Sequence, residues 1–192
     1  MTIGGVLLCG GKSTRMGRSK ALLPFRGRTM VEQVLATLHQ VVGPVVVVAA
    51  VGQELPLLDR VLLQRDERPE RGPLEAIRVG LESLPATCHA AYVTSCDVPL
   101  LRPEFIHYVI DQLADYDAVV PFEGKFAHPL AAVYRTSVVP IIDELIEADQ
   151  WRPRFLIDRI NSCHIDVEQL RAVDPDLESL MNINHPEDYE GL

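Results

Sequence analysis

The chain has 192 residues, of which 47% are hydrophobic and 23% charged, and its formal net charge is −9. This length predicts one domain, residues 1–192, with a sizeable buried core. The negative balance argues against a general nucleic-acid-binding surface, and no apolar run is long enough to span a membrane.

The first half of the chain alternates between strand and helix patterns. An apolar run predicts a first strand at Ile3–Cys9, and a short extended piece is expected at Ala21–Phe25 after a polar loop. Thr29 and Glu32 have the spacing of a capping box, which predicts a helix from about Met30 to Val41. The next predicted elements are strands at Pro44–Val51 and Val61–Gln64 and a helix from about Leu74 to Leu84.

The second half continues this alternation. A strand is predicted at His89–Ser95, a helix from Pro103, and a strand at Asp117–Phe122. Gly124 marks a turn into a returning strand at Pro129–Tyr134, which predicts a small antiparallel excursion. The remaining predicted elements are helices at Ser137–Ala148 and Arg154–Ile160, a strand at Ser162–Asp166 and a small helix from Pro186.

This order of elements predicts an α/β fold with a mainly parallel sheet and right-handed crossovers. In such sheets, ligands bind at the carboxyl ends of the strands. The loop at Gly10–Lys20 and the carboxylate of Asp97 each follow a predicted strand directly. We therefore expect the loop and Asp97 to lie at the same edge of the sheet.

The four cysteines predict no disulfide framework. They form no C-x-x-C pair, and three of them lie in or beside apolar runs; the four are Cys9, Cys88, Cys96 and Cys163. Buried free thiols in a reducing compartment are the expected state. The N-terminal residues carry no basic region of the kind that begins a signal peptide, so we expect a cytoplasmic protein.

The loop after the first strand is the strongest functional signal. Three glycines, which leave backbone N–H groups uncovered, lie among four cationic side chains, and this combination suits an anionic, phosphorylated ligand. The glycines are Gly10, Gly11 and Gly17, and the cations are Lys12, Arg15, Arg18 and Lys20. The spacing matches neither the Walker loop nor the G-x-G-x-x-G dinucleotide pattern. A simple tight turn is the alternative interpretation.

The other candidate residues are weaker in isolation. Asp97 is either a helix cap or a magnesium ligand, because phosphate-bound Mg²⁺ takes only one or two protein carboxylates. Gly72-Pro73-Leu74 is either an ordinary helix start or a backbone edge that approaches a flat base, with Asp66 accepting from the donors of that base. His128-Pro129, Asn182 and Asn184 are most simply explained as loop and turn residues.

Taken together, these motifs resemble one family over almost the whole chain. The loop residues Leu8-Cys9-Gly10-Gly11-Lys12-Ser13, Arg15-Met16-Gly17 and Lys20 are similar to the signature of nucleotidyltransferases with a GT-A-like Rossmann fold. The nearest branch is the molybdenum cofactor guanylyltransferases. The later motifs of that branch match in order at Gly72-Pro73-Leu74, Cys96-Asp97, His128-Pro129 and Asn182-Ile183-Asn184.

The resemblance implies a single-domain, three-layer α/β/α nucleotidyltransferase that transfers GMP from GTP to the terminal phosphate of molybdopterin and releases pyrophosphate. It implies catalytic roles for Arg15, Lys20 and Asp97, with Asp97 holding Mg²⁺, and an acceptor side at Asn182 and Asn184. It implies nucleotide binding by Leu8, Cys9, Gly10, Gly11, Lys20, Asp66, Gly72, Pro73, Leu74 and Asp97. Molybdoenzymes or other cofactor-assembly proteins are the further partners it suggests.

The chain departs from the family pattern at three places, of which the first is a small change and the other two concern the nucleotide base. Cys9 replaces an alanine, Ala49-Ala50-Val51 stands where the family tends to have an asparagine, and Glu75-Ala76 replaces alanine-glycine. A glutamate at position 75 would either accept from guanine or crowd it. The alternatives are therefore a related cytidylyl- or sugar-nucleotidyltransferase and a catalytically silent nucleotide-binding assembly factor.

Overall fold

A central sheet with helices on both faces forms the body of the protein. A computed structural model describes residues 2–10, 19–68 and 71–183. The strands are β1 (Thr2–Leu8), β2 (Pro24–Phe25), β3 (Arg28–Thr29), β4 (Val45–Ala50), β5 (Val61–Asp66), β6 (Cys88–Ser95), β7 (Ala118–Glu123), β8 (Phe126–Ala127), β9 (Ala131–Arg135) and β10 (Ser162–Asp166). The helices are α1 (Met30–Val41), α2 (Pro73–Glu82), α3 (Pro103–Asp111), α4 (Val139–Glu147), α5 (Pro153–Arg159) and α6 (Val167–Leu170).

The main sheet has eight strands in the order β10-β7-β9-β6-β1-β4-β5, with β8 paired to β7. The pairs β1–β4, β1–β6, β4–β5 and β7–β10 are parallel. Strand β9 is antiparallel to both of its neighbours, β6 and β7. The predicted α/β fold with a mainly parallel sheet and an antiparallel excursion is thereby confirmed.

Two buried clusters cover the two faces of this sheet. Because successive strand residues point to opposite faces, Leu7 and Val47 join one cluster with residues of α1 and α3. Val6 and Val46 join the other cluster with residues of α2, α4 and α5. This arrangement is the three-layer architecture that the family resemblance implies.

The predicted start of α1 is present in full. The backbone N–H of Glu32 donates to Thr29 Oγ1 at 3.4 Å, and the backbone N–H of Thr29 donates to Glu32 Oε2 at 2.7 Å. Thr29 therefore ends β3 and caps the helix that follows, so the capping box predicted from the sequence is confirmed.

Two local predictions were incomplete. Ala21–Phe25 is not one extended piece, because a 3₁₀ turn at Lys20–Leu22 precedes β2, which then pairs with β3 in a hairpin. The helix predicted from Ser137 begins as a 3₁₀ turn at Thr136–Val138, and α4 starts at Val139. Pro140 lies in the first turn of α4, where its missing N–H costs no helical hydrogen bond.

Among the described residues, no helix is long and apolar enough to cross a membrane. The small helix predicted from Pro186 lies outside the described residues.

Candidate active site

The carboxyl ends of four neighbouring parallel strands form the edge on which the predicted site residues converge. Leu8 ends β1, Asp66 ends β5 and Ser95 ends β6. Leu8 lies beside Ser95 and Val48 in the strand register. The backbone N–H of Cys96 donates to the carbonyl of Leu8 at 3.0 Å, which continues the pairing past the end of β6. The predicted common edge is thus present.

A first cavity of about 220 Å³ opens at this edge, and we call it the base cavity. Five of the residues predicted to bind nucleotide line it, namely Leu8, Gly10, Asp66, Gly72 and Pro73, together with Val48, Ala76, Ser95 and Leu130. The side chains of Cys9 and Leu74 belong to the two buried clusters instead. The cavity thus has apolar walls and one carboxylate.

Asp66 provides that carboxylate, and its side chain is almost fully buried. Its Oδ1 atom accepts from the backbone N–H of Arg68 at 2.7 Å. Burial raises the pKa of Asp66, and the nearby Glu75 carboxylate raises that pKa further. An acceptor held in this way suits the N–H donors of a planar base.

Glu75 is buried and directed toward α2 itself. Its Oε2 atom lies 3.0 Å from Nε of Arg78, which also contacts Glu82. The hydrogen bond to Glu75 raises the pKa of Arg78. Glu75 therefore affects the pKa of Asp66 through its charge. The sequence suggested that Glu75 either accepts a hydrogen bond from guanine or crowds it, and the contacts of its side chain support neither role.

Lys20 and Asp97 meet at the edge beside the base cavity. Lys20 Nζ lies 3.3 Å from Asp97 Oδ2, and their side chains are 26% and 18% exposed. The hydroxyl of Ser95 donates to Asp97 Oδ1 at 2.5 Å. These contacts join the end of the basic loop to the end of β6. Lys20 and Asp97 therefore lie close together at one edge of the sheet, as expected from the sequence.

The donor set around Asp97 fits a phosphate-bound cation better than a protein cage. Within residues 2–10, 19–68 and 71–183, no group of three or more His, Cys, Asp and Glu side chains could hold a metal ion. A single carboxylate, here already in contact with Lys20 and Ser95, matches Mg²⁺ that takes most of its ligands from phosphate oxygens and water.

A second cavity of about 240 Å³ adjoins the first, and we call it the acceptor cavity. It shares Pro73, Ser95 and Leu130 with the base cavity, and its other lining residues include His128 and Asn182. The backbone N–H of Ile183 donates to the carbonyl of Asp97 at 2.7 Å, which holds Asn182 close to the Asp97 turn. The predicted acceptor residue Asn182 thus lines the second cavity and does not line the base cavity.

His128 is held by its backbone while part of its ring remains unpaired. Its N–H donates to Pro121 O at 2.9 Å, and its carbonyl accepts from Ala131 N at 3.1 Å. Nε2 of the ring is buried and has no hydrogen-bond partner among the described residues. Burial lowers the pKa of His128, so the neutral ring is favoured.

Two features escaped the sequence analysis. Gln53 Nε2 donates to Cys9 O at 2.7 Å and to Ser19 Oγ at 2.9 Å, while its Oε1 accepts from Ala50 N at 3.1 Å. Gln53 thereby ties β1, β4 and the end of the basic loop together, just after the position where the family has asparagine. Trp151, the only tryptophan of the chain, lies against Gly72.

Three predicted site residues, Gly11, Arg15 and Asn184, lie outside the described residues.

Comparison with known proteins agrees with this geometry. Residues 5–163 match the model of the MobA-like NTP transferase domain family. The chain belongs to this family. A probable molybdenum cofactor guanylyltransferase of Mycobacterium tuberculosis H37Rv is 40% identical over 187 residues, which cover 95% of this chain and 89% of that protein.

Solved structures show the same nucleotidyltransferase fold. Molybdopterin-guanine dinucleotide biosynthesis protein A from Archaeoglobus fulgidus superposes with a TM-score of 0.78 at 23% identity, covering 97% of this chain and 94% of that chain. A 2-C-methyl-D-erythritol 4-phosphate cytidylyltransferase from Thermus thermophilus superposes with a TM-score of 0.71 at 15% identity, covering 98% and 95%. Because the fold serves a cytidylyltransferase as well, the fold alone does not select the base.

Proposed function

We propose that this MobA-like NTP transferase is a molybdenum cofactor guanylyltransferase. It transfers GMP from GTP to the terminal phosphate of molybdopterin and releases pyrophosphate. The observation that carries the proposal is the pair of adjoining cavities at the strand ends, which share Ser95; the hydroxyl of Ser95 donates to Asp97, and Asp97 contacts Lys20. The name of the 40%-identical mycobacterial relative supports the choice of substrates.

The base cavity receives the guanine in this proposal. Asp66 accepts from the N–H donors on the edge of the base, while Gly72 and Pro73 present backbone to its face. A buried acceptor discriminates strongly, because a base without matching donors leaves the carboxylate unpaired. Leu8, Cys9, Gly10, Gly11 and Leu74 form the surrounding nucleotide-binding backbone.

The charged residues act on the triphosphate. Lys20 and Arg15 neutralise phosphate oxygens, and Asp97 holds Mg²⁺ close to them. When bound, Mg²⁺ supplies further neutralisation of the charge that develops during transfer. Transfer between two polyanions needs positioning and charge cancellation rather than a protein nucleophile.

The acceptor cavity holds molybdopterin with its phosphate directed toward Asp97. Asn182 lines this cavity and supplies an amide group to the acceptor, and the family resemblance assigns the same role to Asn184. The acceptor phosphate then attacks the α-phosphorus of GTP in line, and pyrophosphate leaves from the opposite face. We also propose that the protein acts in the cytoplasm and passes its product to molybdoenzymes or to proteins that assemble them.

The direct test is pyrophosphate release from purified protein, molybdopterin, Mg²⁺ and each of the four nucleoside triphosphates. We expect release with GTP and formation of the guanine dinucleotide. A preference for CTP or UTP would contradict the proposal in favour of a cytidylyl- or sugar-nucleotidyltransferase. Binding of GTP without any release of pyrophosphate would favour a silent assembly factor.

The role of Asp97 is tested by Asp97→Asn. Because the amide carries no charge to hold Mg²⁺, we expect the rate of pyrophosphate release to fall about 10²-fold or more. Asp158→Asn on α5 is the matched control, since Asp158 is half exposed and pairs only locally with Arg154. A fully active Asp97→Asn enzyme would refute the metal role.

A further inference from the structure

Trp151 lies next to the base cavity although it is remote from the nucleotide motifs in sequence. It belongs to the connection between α4 and α5. A Cβ atom added to Gly72 would lie only 3.1 Å from the carbonyl oxygen of Trp151. Since Gly72 lines the base cavity, the backbone at Trp151 forms a second layer behind the cavity wall.

The indole ring is fixed by polar and cationic neighbours. Its Nε1–H donates to Asp149 Oδ1 at 2.6 Å, and the same oxygen lies 2.9 Å from Arg71 Nη1. The guanidinium carbons of Arg71 and Arg68 lie 5.0 and 5.8 Å from the ring centroid, within the range of cation–π attraction. We call Asp149 and Trp151, with these two arginines, the Trp151 cluster.

The two arginines connect the cluster to the base-reading carboxylate. The backbone N–H of Arg68 donates to Asp66 Oδ1, and the backbone N–H of Arg71 donates to the carbonyl of Arg68 at 3.1 Å. Arg71 immediately precedes Gly72. The cluster therefore contacts residues between Asp66 and Gly72, which are both cavity residues with polar groups for the base. Asp149 makes its contact with Arg71 from 78 residues later in the sequence.

The exposure of these groups argues against a large contribution of the cluster to folding stability. The side chains of Arg71 and Asp149 are 57% and 78% exposed, and such exposed ion pairs contribute little to folding stability. Yet the cluster contacts Arg68 and Arg71, which follow Asp66, the last residue of β5. A contact that adds little to folding stability can still set the position of a hydrogen-bond acceptor. A misplacement of about 1 Å in a substrate-positioning group can lower the reaction rate about 10²-fold.

We propose that Trp151 is a positioning residue for base selection: it holds the segment that ends at Gly72 so that Asp66 meets the donors of guanine. Trp151 touches the segment rather than the substrate. The inference rests on the proposed function, because guanine is the base that Asp66 is taken to read. It adds a selectivity determinant outside the motifs of the first loop, β6 and the tail.

Kinetics with two nucleotides test the proposal. In Trp151→Ala, we expect the KM for GTP to rise about tenfold with kcat within about twofold, since the loss is in ground-state positioning. The ratio of kcat/KM for GTP over ITP, which lacks the 2-amino donor, should fall at least about threefold. Tyr116→Ala is the matched control, because it removes a partly exposed aromatic ring that precedes β7, and four strands separate β7 from the β5 strand that carries Asp66.

Two further variants separate positioning from general damage. Trp151→Phe keeps an aromatic ring within reach of the arginines but loses the bond to Asp149, so its GTP-to-ITP ratio should lie between those of wild type and Trp151→Ala. In an Asp66→Asn background, Trp151→Ala should change this ratio no further, because the residue through which it acts is already altered. An unchanged ratio in Trp151→Ala, or full additivity with Asp66→Asn, would overturn the inference.

Fluorescence of the single tryptophan gives a readout that needs no molybdopterin. GTP with Mg²⁺ should change the emission of wild-type protein, and Asp66→Asn should weaken that response. If GTP binds calorimetrically without changing the emission, Trp151 is not coupled to the base and the inference fails while the proposed function stands. If the wild type binds GTP with a change in emission but transfers no GMP to molybdopterin, the proposed function fails separately.

Discussion

At the scale of single residues, the candidate site contains both an ion pair and a buried polar atom that has no hydrogen-bond partner among the described residues. Lys20 and Asp97 form a close pair, and Asp66 accepts from a backbone N–H. Nε2 of His128 is buried in the acceptor-cavity region without a partner among the described residues. A buried polar atom of this kind costs free energy unless something else satisfies it, so we predict that the acceptor, once bound, supplies its partner.

This reasoning predicts a specific defect for His128→Ala. We expect the KM for molybdopterin to rise about tenfold while the KM for GTP is unchanged, because one buried hydrogen bond to the acceptor is lost. His128→Gln, which places an amide where the ring nitrogen lies, should recover part of the affinity. His107→Ala on the exposed side of α3 is the control. Equal changes in both KM values would contradict an acceptor-side role.

The same residue predicts a dependence of stability on pH. Burial lowers the pKa of His128 below its ordinary value of 6.5, so the unfolded chain binds the proton more readily than the folded chain. The free energy of unfolding should therefore fall as the pH drops below about 6.5. Urea unfolding at several pH values should show a smaller fall in His128→Gln. An identical fall in both proteins would contradict this assignment.

At the scale of elements, α2 both lines the base cavity and packs on β1. Its N-cap Gly72 has φ 111° and ψ 174°, a region that is essentially restricted to glycine. Two turns later, a Cβ atom on Gly80 would lie 2.3 Å from Cγ1 of Val6 on β1. The closeness of α2 to β1 thus depends on a glycine, and this contact lies beneath the nucleotide site.

Gly80→Ala should therefore destabilise the protein, although alanine is the better helix former. We expect the free energy of unfolding to fall by about 1–3 kcal/mol through overpacking against Val6. Combining it with Val6→Ala makes room, so the double variant should be at least about 0.5 kcal/mol more stable than the sum of the single changes predicts. Urea titrations measure all three variants, and strict additivity would contradict direct contact.

Local chemistry made many of these elements predictable. The Thr29–Glu32 spacing identified the start of α1, and the β-branched run at Val45–Val48 identified a strand covered on both faces. The edge shared by Lys20 and Asp97 followed from the rule that ligands bind at strand carboxyl ends. The insertion of β9 between β6 and β7 and the contact of Trp151 with Gly72 depend on long-range packing, which no local pattern encodes.

At the scale of the whole molecule, the cysteines belong to the core. Cys9, Cys88 and Cys96 are buried, Cys163 is half-buried, and all four are free thiols. Hydrogen bonding to Cys96, together with burial, holds the pKa of Cys9 well above its ordinary value, and burial raises the pKa of Cys163. Thiols of this kind are mostly protonated near neutral pH and react slowly.

We therefore predict a two-stage response to a thiol reagent such as Ellman's reagent. In native protein, Cys163 should react first and the other three thiols much more slowly, because only thiolates with access react. All four should react at once in denaturant. Cys163→Ser should lose the first phase alone. Rapid reaction of two or more thiols in the native protein would contradict the buried arrangement.

The position of β9 has a consequence for synthesis on the ribosome. Within the main sheet, β7 pairs with β8, β9 and β10, and only β9 connects it to β6. A nascent chain that has emerged only to residue 130 can assemble β5, β4, β1 and β6, but β7 has no place beside them. Because chains emerge from the amino end at about 5–20 residues per second, the nucleotide half of the edge can form before the acceptor half. Strand β9 is thus the link that must form before β7, β8 and β10 can join the half of the sheet that carries the base cavity.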